Sequence, residues 1–158
     1  MTALAGNSLK YPARGVAAGA LVLVALWGSH VAGQTARTFV ARLSTVPITV
    51  VMQETVAGRG AVTAVLAGNR LTIEGTFEGL RSPATSARVH LAPRALRGPA
   101  IADLTVSTGT TGTIKGAVDL TERQRDALEK SSLYIQIHSE KASEGNLWGW
   151  LLPQEVKR

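Results

Sequence analysis

The residues able to do chemistry are few in this chain. His90 and His138 are the only histidines after residue 33, and there is no cysteine. A stable transition-metal site draws three or four ligands from His, Cys and carboxylate side chains. A metal site on His90 and His138 would therefore need Asp103 or Glu144 to complete it. The competing reading is a hydrogen-bonded histidine pair at the edge of the fold. Nucleophilic catalysis needs a hydroxyl or thiol beside a base and an orienting acid. Serines are present, but no nucleophile-elbow pattern accompanies them. Glu74 and Glu78 are four positions apart, which in a strand is about 13 Å, too far for a carboxylate dyad. No catalytic residue and no cofactor motif emerges, so the expectation is a protein that is not an enzyme and carries no cofactor. The conspicuous pair is Trp148 and Trp150 in "LWGWLL" (147–152). At i and i+2 in a strand they share a face. Either they cap the core from one end, or they form a contact surface for a partner, since tryptophan is enriched at interface centres.

These residues must be held by something, and the chain divides into two parts. Residues 15–33, "GVAAGALVLVALWGSHVAG", hold no charged side chain. Lys10 and Arg14 precede them, and residues 1–33 contain no acid. This is the charge pattern of an export signal or a signal-anchor. As a helix, the 19 residues span roughly 28 Å, about one hydrocarbon core. The expectation is a retained transmembrane anchor, with Lys10 and Arg14 at the cytoplasmic interface and Trp27 at the outer one. His30 then reads as an interfacial polar residue beside Ser29. The alternative is cleavage after "VAG" (31–33), which frees a secreted module beginning at Gln34. The formal net charge is +6, and residues 34–158 hold 15 basic side chains scattered among 11 acidic ones. A nucleic-acid reader would gather its charge into one stripe or helix, so nucleic acid is not an expected partner.

Residues 34–158 read as short strands separated by turns. "TFVARLSTVPITVVM" (38–52) suggests a strand, a turn at Pro47 and a second extended piece. "GRGAVTAVLAGNRLTIEGTFEGL" (58–80) alternates on both sides of Gly68-Asn69, the mark of a β-hairpin. Leu71, Ile73, Gly75 and Phe77 fall on one of its faces. A Pro-bounded strand follows near 86–91, then the basic loop "RALRGPA" (94–100) and a second hairpin over 101–120 with its turn near 108–112. "LTERQRDALEK" (120–130) is the one soluble helix expected, with Thr121 as N-cap and Gln124 completing a capping box. "LYIQIHS" (133–139) is a strand with Leu133, Ile135 and Ile137 on one face and Tyr134, Gln136 and His138 on the other. A polar loop, "EKASEGN" (140–146), and a final strand, "LWGWLLP", close the domain. The pattern predicts an all-β fold: an antiparallel Ig-like β-sandwich of about 7–8 strands with one short helix, preceded by one transmembrane helix.

In their order these segments resemble the CHRD domain, named for chordin and found also in bacterial exported proteins. The resemblance is carried by "FVARLS" (39–44), "GRGAVTAVLAGNRLTIEGTFEGLRSPATSARVHL" (58–91), "GPAIADL" (98–104), "GAVDLTERQRDALEKSSLYIQIHS" (116–139) and "EGNLWGWL" (144–151). It implies an Ig-like sandwich that serves as a binding or structural module. The chain departs from the family pattern in three places. Arg88 stands where the first histidine of a His-x-His is usual, Gln136 replaces an asparagine two before His138, and residues 145–149 lack the usual Glu and Arg. Any polar site that relied on those residues is in doubt here. Together these readings give residues 1–14 as cytoplasmic, 15–33 as transmembrane and 34–158 as periplasmic, in a single-pass protein of a bacterial inner membrane. Its expected partners are the lipid bilayer and a larger integral membrane protein complex, such as a photosynthetic or respiratory one, contacted through Trp148 and Trp150.

Overall fold

The computed structural model describes residues 35–154. The expected anchor at 15–33, with Lys10, Arg14, Trp27 and His30, lies outside them. Among the described residues no helix is long and apolar enough to cross a membrane.

Nine strands and one helix make up the domain: β1 (Arg37–Thr45), β2 (Arg59–Ala67), β3 (Arg70–Glu78), β4 (Ala84–Leu91), β5 (Ala100–Val106), β6 (Gly112–Asp119), α1 (Glu122–Glu129), β7 (Leu133–Ser139), β8 (Ala142–Trp150) and the two-residue β9 (Leu152–Pro153). All pairings are antiparallel. The strand order is β2-β3-β6-β5-β4-β7-β8-β1-β9, and β1 also pairs with β2. That last pairing corrects the expected sandwich: eight strands run round into a closed, barrel-like sheet. β1 makes the closure because it uses both edges. One edge meets β2 from Arg37 to Leu43. The other meets β8 at Ser44 and Thr45 and β9 at Phe39 and Val40. Closure leaves no open edge of the kind that invites aggregation. Gly149 lets the seam draw tight, since a Cβ there would lie 2.4 Å from the Arg42 carbonyl oxygen.

The interior is filled by the alternating apolar positions. Phe39, Leu71, Ile73, Phe77, Ile135 and Leu147 are at most 1 % exposed. At roughly 2 kcal/mol for each fully buried large apolar side chain, this core is the main source of stability. The hairpin at Gly68-Asn69 and the face Leu71, Ile73 and Phe77 form as expected. So does the helix. Gln124 N–H donates to Thr121 Oγ1 at 3.3 Å, and Thr121 N–H donates to Gln124 Oε1 at 2.9 Å. Eight residues are too few for a helix to persist alone in water. Leu128, fully buried against the barrel, holds it.

Two segments differ from the expected pattern. Residues after Pro47 do not extend but wind into a 3-10 turn, Val50–Glu54. The polar stretch 140–146 is mostly strand: β7 and β8 meet as close as Ser139 and Ala142, leaving a tight turn at Glu140-Lys141. The polar side chains of Ser143 and Glu144 misled because they sit on the exposed start of β8.

Candidate functional site

β7 positions the site. Six of its seven residues are buried and His138 is half-buried, so the strand is covered on both faces. Leu133, Ile135 and Ile137 face the core. Tyr134, Gln136 and His138 face outward, where a second apolar cluster covers them. Val46 and Val56, which flank the 3-10 turn, and Ala92, after β4, pack there with Tyr134, Ala142 and Trp148. Met52 and Trp150 close its margin.

Cross-strand pairing sets His90 of β4 opposite Tyr134, and Tyr134 opposite Trp150 of β8. The His90 and Tyr134 rings stack at 4.8 Å between centroids, 18° from parallel. Tyr134 meets Trp150 at 4.8 Å and the edge of Trp148 at 6.0 Å. Trp150 Nε1–H donates to the Ala92 carbonyl at 3.2 Å, tying this aromatic row to the loop over it.

The 92–99 loop supplies the polar anchors. Its Gly98 carbonyl lies 2.9 Å from His90 Nδ1, and Gly98 N–H donates to the Tyr134 hydroxyl at 3.2 Å. Only glycine fits there, because a Cβ would sit 2.0 Å from the Leu91 carbonyl oxygen. Arg97 Nη1 donates to the Glu144 carbonyl at 2.7 Å, and Gln136 Nε2 donates to the same oxygen at 3.0 Å. His138 Nδ1 lies 2.7 Å from the Ser143 carbonyl. A carbonyl can only accept, so each histidine carries its proton on Nδ1 and leaves Nε2 as a bare acceptor. Among the described residues both Nε2 atoms are shielded from solvent and neither has a hydrogen-bond partner. Burial pushes the His90 pKa below its ordinary 6.5. The Gly98 bond pulls the other way, and the charges of His138, Arg88 and Arg97 add to the lowering.

The two candidate histidines thus come together, with ring centroids 6.5 Å apart. The carboxylates named to complete a metal set do not join them. Asp103 is paired with Arg88 at 2.9 Å, and Glu144 turns its carbonyl inward while its residue is exposed. Among the described residues no group of three or more His, Cys, Asp or Glu gathers as a ligand set. Glu78 pairs with Arg59 at 2.7 Å, and Glu74 stands opposite Lys115 on the exposed side of β3. The two tryptophans share the outer face as expected, in unequal roles: Trp148 is 8 % exposed and supports Trp150, which is half-buried. Tyr134, Gln136, Arg97 and Gly98 were not singled out as site residues from the sequence. The signal for the first two was there: uncharged, bulky outward positions on β7 mark a covered face.

Beside Trp150 runs a groove of about 420 Å³ along the β1–β8 seam, lined by Val40, Arg42, Ser44, Arg94 and Leu152 among others. The segments lying over this face also carry four of the five exposed large apolar side chains among the described residues, Val65 of β2 being the fifth. Val50 and Val51 are 81 % and 86 % exposed, and Ile48 and Leu96 are exposed as well.

Compared with protein-family models, residues 39–151 match the CHRD domain. No curated protein and no solved structure matches the chain.

Proposed function

The chain belongs to the CHRD domain family, a β-rich binding-type module, and from that premise we propose that it works without catalysis, as an accessory subunit docking onto a larger membrane protein complex. In this reading the apolar run at 15–33, led by Lys10 and Arg14, holds the domain at the bacterial inner membrane with its barrel on the periplasmic side. The docking surface is the outer face of β7 and β8 with its covering segments. Trp150 and its groove give an aromatic anchor flanked by Arg42 and Arg94, suited to a partner surface that mixes apolar and acidic groups.

One observation carries the reading: two adjacent β-branched residues, Val50 and Val51, stand almost fully exposed on a segment that otherwise buries Val46 and Val56. Single exposed apolar residues are ordinary. A bare pair with Ile48 beside it and Leu96 on the neighbouring loop is the kind of patch that marks an interaction site.

The test is co-migration of the full chain with a partner in mild detergent, for the wild type and for the double variant Val50→Asp, Val51→Asp. Both positions are exposed, so each substitution should change stability by no more than about 0.5 kcal/mol. The expected result is a wild type that runs with a complex and a variant that is folded and runs alone. The intact mass of the same preparation decides the second reading. A mature chain starting at Gln34 and running alone would make this a free secreted or surface-attached module, and the complex-subunit reading would fall.

A further inference from the structure

One buried imidazole, His90, and one half-buried imidazole, His138, carry Nε2 atoms with no hydrogen-bond partner among the described residues. Cross-strand register places His90 opposite Tyr134 and Ser86 opposite His138. The two histidines therefore attach to the sheet four positions apart, about 13 Å along the strands. Their ring centroids are nonetheless 6.5 Å apart, so the side chains lean toward each other over Arg88 and Gln136. Rings that approach from such distant Cα atoms meet through the atoms farthest from Cβ, which are Cε1 and Nε2. A ring nitrogen lies about 1.1 Å from its centroid, so this spacing allows the two Nε2 atoms to approach to about 4 Å, the span of a linear N–metal–N unit with bonds near 2 Å.

The surroundings prepare both nitrogens as ligands. Each Nδ1–H is held by a backbone carbonyl, Gly98 for His90 and Ser143 for His138. That is the outer-sphere arrangement that fixes tautomer and ring orientation in metal-binding histidines. Each Nε2 is shielded from water and without a partner among the described residues, a state that buried acceptors rarely keep. Tyr134 stacks on His90 and walls off one side.

We propose that His90 and His138 hold a single Cu(I) ion between their Nε2 atoms in a two-coordinate site. The ligand count selects the ion. Zinc in a protein site takes four ligands, and no third His, Cys, Asp or Glu converges here among the described residues. Copper in its monovalent d10 state is satisfied by two imidazole nitrogens in line. Charge selects in the same direction: Arg88 and Arg97 lie close enough to act on His90, and they oppose a divalent ion more than a monovalent one. His90 and His138 are different residues from Val50 and Val51, and metal retention and co-migration are separate readouts, so failure of either proposal leaves the other intact.

The experiment titrates the full chain with Cu(I) in oxygen-free buffer against a coloured Cu(I) chelator. The expected result is one ion per chain. His138→Gln changes a half-buried position, and melting temperature reports whether that variant is folded. It should weaken retention by more than the roughly 10- to 100-fold that loss of an outer partner costs. Asp103→Asn should leave retention unchanged, and Zn(II) in place of Cu(I) should not be held. Nitrogen NMR of the wild-type chain gives a readout that needs no variant: both Nε2 resonances shift on adding Cu(I) while both Nδ1 atoms stay protonated. Absence of stoichiometric copper, equal retention of zinc, retention that survives His138→Gln, or unmoved Nε2 signals would each overturn the proposal.

Discussion

His90 has committed its one ring proton to the Gly98 carbonyl, so charging it means placing a second proton on an Nε2 that faces no acceptor. Burial is the main cause that keeps its pKa below the ordinary 6.5, with the neighbouring His138, Arg88 and Arg97 adding to the lowering against the pull of the Gly98 bond. The consequence for stability has a definite sign. Between the lowered native pKa and 6.5 the unfolded chain binds the proton and the folded chain does not, so stability rises with pH across that window. The contribution is fully present above 6.5 and is lost as pH falls through 6.5 toward the native value. Melting temperature measured in chelator from neutral to mildly acid pH should fall, and His90→Gln should flatten that slope. Equal slopes for the two proteins would mean that His90 is not held neutral by the fold. At this scale the two histidines and the two tryptophans were conspicuous in the sequence, but their surroundings were not. Both histidine anchors are backbone carbonyls, which carry no side-chain signature. The lean that closes 13 Å of strand to a ring contact depends on packing against Tyr134.

The strands were readable where one face met the core and the other met water. The hairpin over 58–80 alternates cleanly, and its register follows that alternation. The exposed cross-strand pairs Arg59–Glu78, Arg70–Asp119 and Arg88–Asp103 take up six of the scattered charges, at little gain in stability because they are solvated. The helix was readable from its cap, and Thr121→Ala tests it. Loss of the bond from Gln124 N–H to Thr121 Oγ1 should cost about 1 kcal/mol, measured by urea unfolding. A change near zero would mean that Leu128 alone fixes the helix. What failed to show in the pattern was the second covering layer. Val46, Val56 and Ala92 come from irregular segments, and no period announces that such residues pack on the outside of a sheet. For the same reason the 3-10 turn at Val50–Glu54 read as a strand, since a run of β-branched residues suits an extended chain equally well.

For the whole molecule, closure was the feature beyond reach of local pattern. A sandwich and a barrel of the same strands share alternation and turns. They differ in whether β1 pairs on both edges, and that depends on contacts between segments more than a hundred residues apart, such as Phe39 with Pro153. Closure gives the domain two unlike sides: β3 lies across the ring from β7 and turns Glu74 outward, whereas the β7 side carries the aromatic row and the bare valines. The proposed docking surface lies on that second side. Placing a photo-crosslinking residue at Val51, and separately at Glu74, in the full chain in its native membrane tests this most directly. The account predicts one adduct of defined mass from position 51 and none from position 74. Adducts of equal yield from both positions, or none from 51, would contradict it.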